Sequence, residues 1–358
     1  GGHIEQCDSC GSERISYNSC ANRHCPKCQT LTKEKWLEER KAELLPVGYF
    51  HNVFTLPHAL NPIALCNTKA IYGLLFKAVS ETLKTFANDP KHLGGQVGFI
   101  AILHTWNQRL NSHIHLHVVI PAGALSFDGS RWIDPKRKAF LFPVKALSQV
   151  FRGKFIHLLE AAYVDDKLIF PGKTEHLGGK KGFKGLIEKL WKQDWVVFSK
   201  HPFGGPEQVL EYLGRYTHRV AISNHRLLSI ENGKVTFTYR DRRDGDKVKQ
   251  MRIEAQEFIR RFLLHVLPHG FMRIRHFGFL ANRVKQRNVE RIRKLIGRDD
   301  KPPERADSSP LELLKRLTGV DLASCPFCKS GTMAIIKEIL GPYQRRRKGT
   351  TVLFFDSS

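Results

Sequence analysis

HIHLHVVIP, residues 113–121, is the stretch that decides how this chain folds. Side chains two apart on a strand share a face. His113, His115 and His117 therefore line one side of an extended segment, and Ile114, Leu116 and Val118 line the other. The aliphatic side is suited to a core. The imidazole side either meets solvent or converges on a ligand. Neutral imidazole binds Zn, Mn, Fe and related ions, and two rings at i and i+2 can share one ion. Three ligands leave positions open for water or a phosphate oxygen, as a catalytic site requires. The third ligand has three candidates. His104 lies on the preceding predicted strand, GQVGFIAILHTW (95–106), which forms an antiparallel pair with 113–121. His113 stands at the frayed entry of its strand. Gln108 comes from the connecting turn.

Around this stretch, the chain of 358 residues is basic. Lysine and arginine number 58 against 34 acidic residues, a formal charge of +24. Such an excess points to a polyanionic partner, most simply nucleic acid. Hydrophobic residues at 41% support a buried core rather than disorder. No apolar run is long enough for a transmembrane helix, and GGHIEQCDSCG lacks a signal-peptide core, so no membrane and a cytoplasmic location are expected. The opening GGH reads as an entry into mid-domain sequence, with a native segment expected before it. Gly172-Lys173-Thr174 is not a P-loop, because Lys167 occupies the place of the upstream glycine.

Helices are expected over 30–45 (ended by Pro46), 62–87 (entered through Asn61 and Pro62), 144–163, 183–192, 206–220 and 255–266, and strands over 49–57 and 194–200. Asn232-Gly233 between two alternating runs marks a hairpin. RDDKPPERADSSP (298–310) has the composition of a linker. The expected division is a zinc-binding module with its connecting helix (1–45), a catalytic domain (46–297), that linker, and a carboxyl segment (311–358) with a short helix, a Cys-x-x-Cys pair and a basic tail.

Cys7-x-x-Cys10 and Cys25-x-x-Cys28 are two knuckles with the spacing of a tetrahedral zinc site. His3, Cys20 and His24 are possible extra ligands, either replacing a cysteine or forming a second, incomplete site. Cys325 and Cys328 are half a site, completed elsewhere or not used. In EYLGRYTHR, Tyr212 and Tyr216 stand four apart and share a helix face. A packing pair is the plain reading. Arg215, His218 and Arg219 beside them suit phosphate, and a nearby ion would make phosphorus electrophilic enough for a phenol to attack. Trp106 can stack on a base or pack in the core.

A His-aliphatic-His strand, a histidine on the strand before it and a tyrosine helix resemble the HUH endonuclease superfamily. YNSCANRHCPKCQ, YFHNVFTLP, LHTWNQRLNSHIHLHVVIP, YLGRYTHRVAISN and FIRRFLLHVLPHGFMRIRHFGFLANR resemble, in order, the two-tyrosine rolling-circle transposases of the insertion sequence ninety-one family. The resemblance runs from about residue 1 to 290. It implies His115 and His117 as paired metal ligands, with His104 matching the relaxase set, Tyr212 and Tyr216 as nucleophiles, and Cys7, Cys10, Cys25 and Cys28 as the zinc ligands. Ile114 departs from the proline expected there, and the family's initial helix is not seen. The expected fold is α+β: an HUH-type antiparallel sheet with packed helices beside a small amino-terminal zinc-binding module. The expected activity is cleavage and rejoining of single-stranded DNA with Mg or Mn at the histidines and Zn in the module. A plasmid replication initiator or relaxase shares that chemistry, and a zinc-finger regulator would need only the knuckles and the basic surface.

Overall fold

The computed structural model describes residues 1–20, 22, 25, 34, 36, 37, 40, 41, 43–137, 140–203, 208, 209, 214, 221–298, 312, 315, 316, 319, 321 and 323–341, those at 201–203 by backbone alone. They fall into two compact units: Gly1–Lys35 with Ala306–Ser358, and Trp36–Arg305.

The first unit is built on β1 (Gly2–Cys7) and β2 (Glu13–Tyr17), joined in one antiparallel sheet by β13 (Met333–Ile339) in the order β13-β1-β2. Gly2 pairs with Ile339 and Cys7 with Met333. The carboxyl segment therefore completes the amino-terminal module, where the sequence suggested two separate pieces. Pairing between strands so distant in the chain leaves no trace in local spacing.

The second unit centres on a five-stranded antiparallel sheet made by β3 (Tyr49–Thr55), β4 (Phe99–Trp106), β5 (Ser112–Pro121), β8 (Val197–Phe203) and β12 (Ile274–Phe277), in the order β12-β4-β5-β3-β8. Alternation along these strands sorts the side chains. Phe54, Leu103, Leu116 and Val118 face a core shared with the helices Thr68–Asn88, Val144–Val164 and Lys180–Lys192. Phe54, Phe99, Phe151 and Phe155 are fully buried there, each contributing about 2–3 kcal/mol relative to exposure. The opposite face carries His104, His115 and His117 at one end. Farther along, Ile100, Ile102 and Val119 pack with Phe279, Val289 and Ile292, the last two from the helix Lys285–Leu295. The helix expected over 62–87 is two helices, Asn61–Cys66 and Thr68–Asn88. Asn67 interrupts it: its side-chain amide donates to the Ile63 and Ile169 carbonyls and accepts from the Ile169 N–H.

A second antiparallel sheet comprises β9 (Leu227–Glu231), β10 (Lys234–Asp241) and β11 (Lys247–Glu254). Asn232 and Gly233 both have φ near the left-handed region, 50° and 70°, as a two-residue hairpin turn requires. This sheet is fastened to the β4–β5 connection. Arg109 pairs with Asp241 at 3.1 Å, and Arg226 donates to the Gln108 carbonyl. A two-stranded ribbon, β6 (Ala124–Leu125) with β7 (Trp132–Ile133), follows β5. No helix among the described residues is long and apolar enough to cross a membrane.

Candidate functional site

His104 on β4 pairs directly with His115 on β5, and Ile102 pairs with His117. The hairpin register thus puts His104, His115 and His117 on one face, and one ring nitrogen from each lies within 4.8 Å of the others. All three rings are buried, at 4%, 8% and 8% exposure. His115 Nδ1 sits 2.9 Å from the His113 carbonyl. A carbonyl only accepts, so Nδ1 carries the proton and Nε2 presents its lone pair. That Nε2 is 3.0 Å from His117 Nε2. Two cis ligands at about 2.1 Å from an octahedral ion lie about 3.0 Å apart. His117 Nδ1 in turn meets His51 Nε2 at 3.0 Å, with the two rings stacked. Imidazole ligands are held by such partners on their other nitrogen. The donor set therefore fits a divalent ion that accepts nitrogen.

Burial holds His115, His117 and His51 below the usual histidine range, which keeps these three rings uncharged. His115 is pushed down to about 3, first by desolvation and then by its histidine neighbour His113 and Arg242. His117 lies well below the usual histidine range for the same first cause, followed by His104 and His115. His51 falls to about 3 through burial and the Lys200 ammonium.

The other sequence candidates separate. The His113 ring is outside the converging set, and its contribution is the carbonyl that orients His115. Gln108 turns its side chain to the Arg240 N–H at 3.5 Å and so does not serve as the third ligand. Trp106 is half-buried and stacks on His104, with centroids 4.6 Å apart. Tyr212, Arg215, Tyr216, His218 and Arg219 lie outside the described residues. Of their segment, Gln208, Val209 and Gly214 are described as helical, and Val209 is fully buried on the histidine-bearing face with Tyr49, Ile100 and Val119. Two functional groups escaped the sequence reading. His51 hid in the apolar stretch YFHNVFTLP, and only its period-two alternation with Val53 hinted at a shared face with His117. Arg242, exposed in the β10–β11 turn, carries no motif that marks it; its positive field reaches His113, His115 and His117.

The thiolate site differs from the expected one. Cys7 and Cys10 converge with Cys325 and Cys328, all four sulfurs within 4.8 Å. Cys7 Sγ is 3.7 Å from Cys328 Sγ, and Cys10 Sγ is 3.7 Å from Cys325 Sγ. A zinc tetrahedron with bonds of about 2.3 Å has edges of about 3.8 Å, so the set fits Zn. The Cys328 thiol is pushed down to about 6 by the Ser330 hydroxyl and the Gly331 and Ser330 N–H groups, which favours the thiolate. Gly331 permits the approach: a Cβ there would fall 2.4 Å from Cys7 Sγ. Among the described residues, Cys7 and Cys10 thus converge with Cys325 and Cys328. Cys25 is half-buried outside this cluster, Cys20 is exposed, and Cys28 and His24 lie outside the described residues. His3 pairs with Glu5 at 3.1 Å rather than with the cysteines.

Residues 98–288 match the family model described as "Putative transposase", and residues 1–56 match "Transposase zinc-binding domain". The chain is 51% identical over 340 residues to "Putative transposase y4qJ" of Sinorhizobium fredii, covering 94% of this chain and 85% of that protein. The chain belongs to the two-tyrosine transposases of the insertion sequence ninety-one family. The transposase is also 30% identical over 280 residues to "Transposase for insertion sequence element IS801" of Pseudomonas savastanoi pv. phaseolicola, covering 77% of this chain and 65% of that one. Among solved structures, the relaxase TrwC complexed with a 27-mer DNA aligns with 68% of this chain and 73% of its own, at 13% identity and a TM-score of 0.26. Family membership makes the transposase a DNA-cleaving and strand-transferring enzyme with a zinc-binding module.

Proposed function

We propose that the transposase cleaves and rejoins single-stranded DNA at the histidine face, through 5′-phosphotyrosine links made in turn by Tyr212 and Tyr216. The observation that carries this reading is the convergence of three buried imidazoles at one end of a sheet face. His104, His115 and His117 would hold Mg or Mn. Such an ion would polarise the scissile phosphate and offset charge in the transition state. The protein supplies the rest. The His113 carbonyl and His51 fix the ring orientations, and Trp106 shields His104 on one side. Arg242 adds positive charge where a phosphate would sit. Val209, three residues before Tyr212, is anchored on this same face, which supports delivery of the tyrosines to it.

In the reaction, a phenol oxygen bonds to phosphorus as the 3′ oxygen leaves and takes up a proton. One phosphoester replaces another, so no nucleotide hydrolysis is needed. Two tyrosines permit two successive transfers, one holding the 5′ end while the other attacks the second strand.

The test is incubation with labelled single-stranded oligonucleotides carrying the element's ends, with Mg or Mn, followed by denaturing electrophoresis. Covalent adduct is expected in the wild type, strongly reduced in His115→Ala and absent in the Tyr212→Phe, Tyr216→Phe double variant. Adduct that survives loss of both phenols would remove the nucleophile assignment.

A further inference from the structure

The far end of β4 carries a feature that the cleavage chemistry does not use. Gln96 and Val97, just before β4, open onto a cleft of about 500 Å³ walled by the helix Thr68–Asn88, the β6–β7 loop and the helix Lys285–Leu295. Arg287 and Arg291 stand one turn apart on the helix Lys285–Leu295, and Arg283, in the turn just before it, lines the same wall. Lys84 lines the other wall. All four are exposed, and no acidic side chain pairs with any of them among the described residues.

The loop opposite is held in shape. The Asp128 carboxylate accepts from the Ser126 hydroxyl, from the Ser130 N–H at 3.0 Å and from the Ser130 hydroxyl at 2.7 Å. The acid that lines the cleft is therefore engaged inside its own turn. This turn presents Phe127 to solvent at 59% exposure. Gly129, with φ of 73°, lets Arg291 cross the turn: a Cβ there would lie 2.4 Å from the guanidinium. An exposed aromatic beside a row of unpaired guanidiniums is the combination that holds unpaired bases and their phosphates.

We propose that this cleft is a second single-stranded DNA site, where Arg283, Arg287 and Arg291 hold successive phosphates and Phe127 stacks on a base. The start of β4 at Phe99 is five residues from His104, about 17 Å at 3.3 Å per residue, and the cleft opens beyond that end. A strand bound here is thus held well away from the bond being cut. The proposal rests on the protein's action on single-stranded DNA and is independent of the tyrosines.

The experiment uses the full chain with Arg287→Ala and Arg291→Ala combined, both at exposed positions. Binding of a fluorescent polythymidine is measured by anisotropy between about 50 and 200 mM salt. Two lost phosphate contacts should flatten the slope of log K against log salt by about 1.4 and weaken binding about 25-fold at 0.1 M. Phe127→Ala should reduce the quenching of 2-aminopurine placed in the strand. An unaltered salt slope overturns the proposal. So does an equal loss on duplex of the same sequence, which would mark a merely basic surface. If the wild type forms no adduct with any oligonucleotide, the cleavage reading fails, and the slope still decides the cleft.

Discussion

Replacing His51 by phenylalanine isolates what the second nitrogen of His117 does. With a cation at Nε2, His117 carries its proton on Nδ1 and donates it to His51 Nε2, 3.0 Å away. Phenylalanine keeps a ring in the stack, whose planes are 8° from parallel, and removes the acceptor. The His117 Nδ1–H then has to give up that bond in a buried site, which costs about 1–3 kcal/mol. The alternative is for the proton to shift to Nε2, which closes that nitrogen to the ion. Either way the ion loses: partners of this kind are worth about 10–100-fold in metal affinity. Titrating Mn into wild type and His51→Phe by calorimetry, with free Mn followed by electron paramagnetic resonance, should show that fall. Circular dichroism should show the fold retained. A variant that binds Mn within about twofold of wild type would refute the role given to His51 and weaken the case that His117 is a ligand.

Other outcomes follow from the same geometry. Cys325→Ser or Cys328→Ser should lose bound zinc as fully as Cys7→Ser, by metal analysis of the purified chain, because all three sulfurs belong to one set; zinc retained in both carboxyl-terminal variants would restore the local knuckle pairing. Arg242→Gln should slow adduct formation about tenfold while leaving Mn affinity equal or higher, since its charge opposes positive charge on the histidines. His265 donates to the Leu110 carbonyl and accepts from the Thr105 hydroxyl, and burial pushes it down to about 4. A depressed histidine stabilises the fold fully above its unfolded value near 6.5, and that stability is lost as pH falls from there to about 4, on the order of 3 kcal/mol in all. Urea melts of wild type against His265→Gln should show a smaller loss over this window in the variant.

The histidine hairpin was legible because both of its signals are local. Alternation over 113–121 set the faces, and the short connection Asn107–Asn111 forced antiparallel pairing, which aligned His104 with His115. The long helix Val144–Val164 and the Asn232-Gly233 turn were equally plain for local reasons. What was missed is long-range. The knuckle Cys7–Cys10 has a neighbour of ideal spacing at Cys25–Cys28, and nothing short of the β1–β13 register shows that its partners lie beyond residue 320. The edge strand Ile274–Phe277 is four residues long and half-buried throughout, too short and too mixed for alternation to mark. His51 and Arg242 act through neighbours supplied by other elements, so their roles become visible only when those elements meet.

A thiolate cage whose halves come from opposite ends of the polypeptide cannot close during most of synthesis. Cys7 and Cys328 are separated by 321 positions, roughly 15–60 s of translation at about 5–20 residues per second. Until then the first pair has no mates, and β1 lacks the neighbour that β13 provides. A chain cut short between residue 298 and Cys325 would carry the histidine hairpin but lack a finished metal cage. Zinc occupancy of this cage would thus distinguish full-length molecules from fragments ending before Cys325.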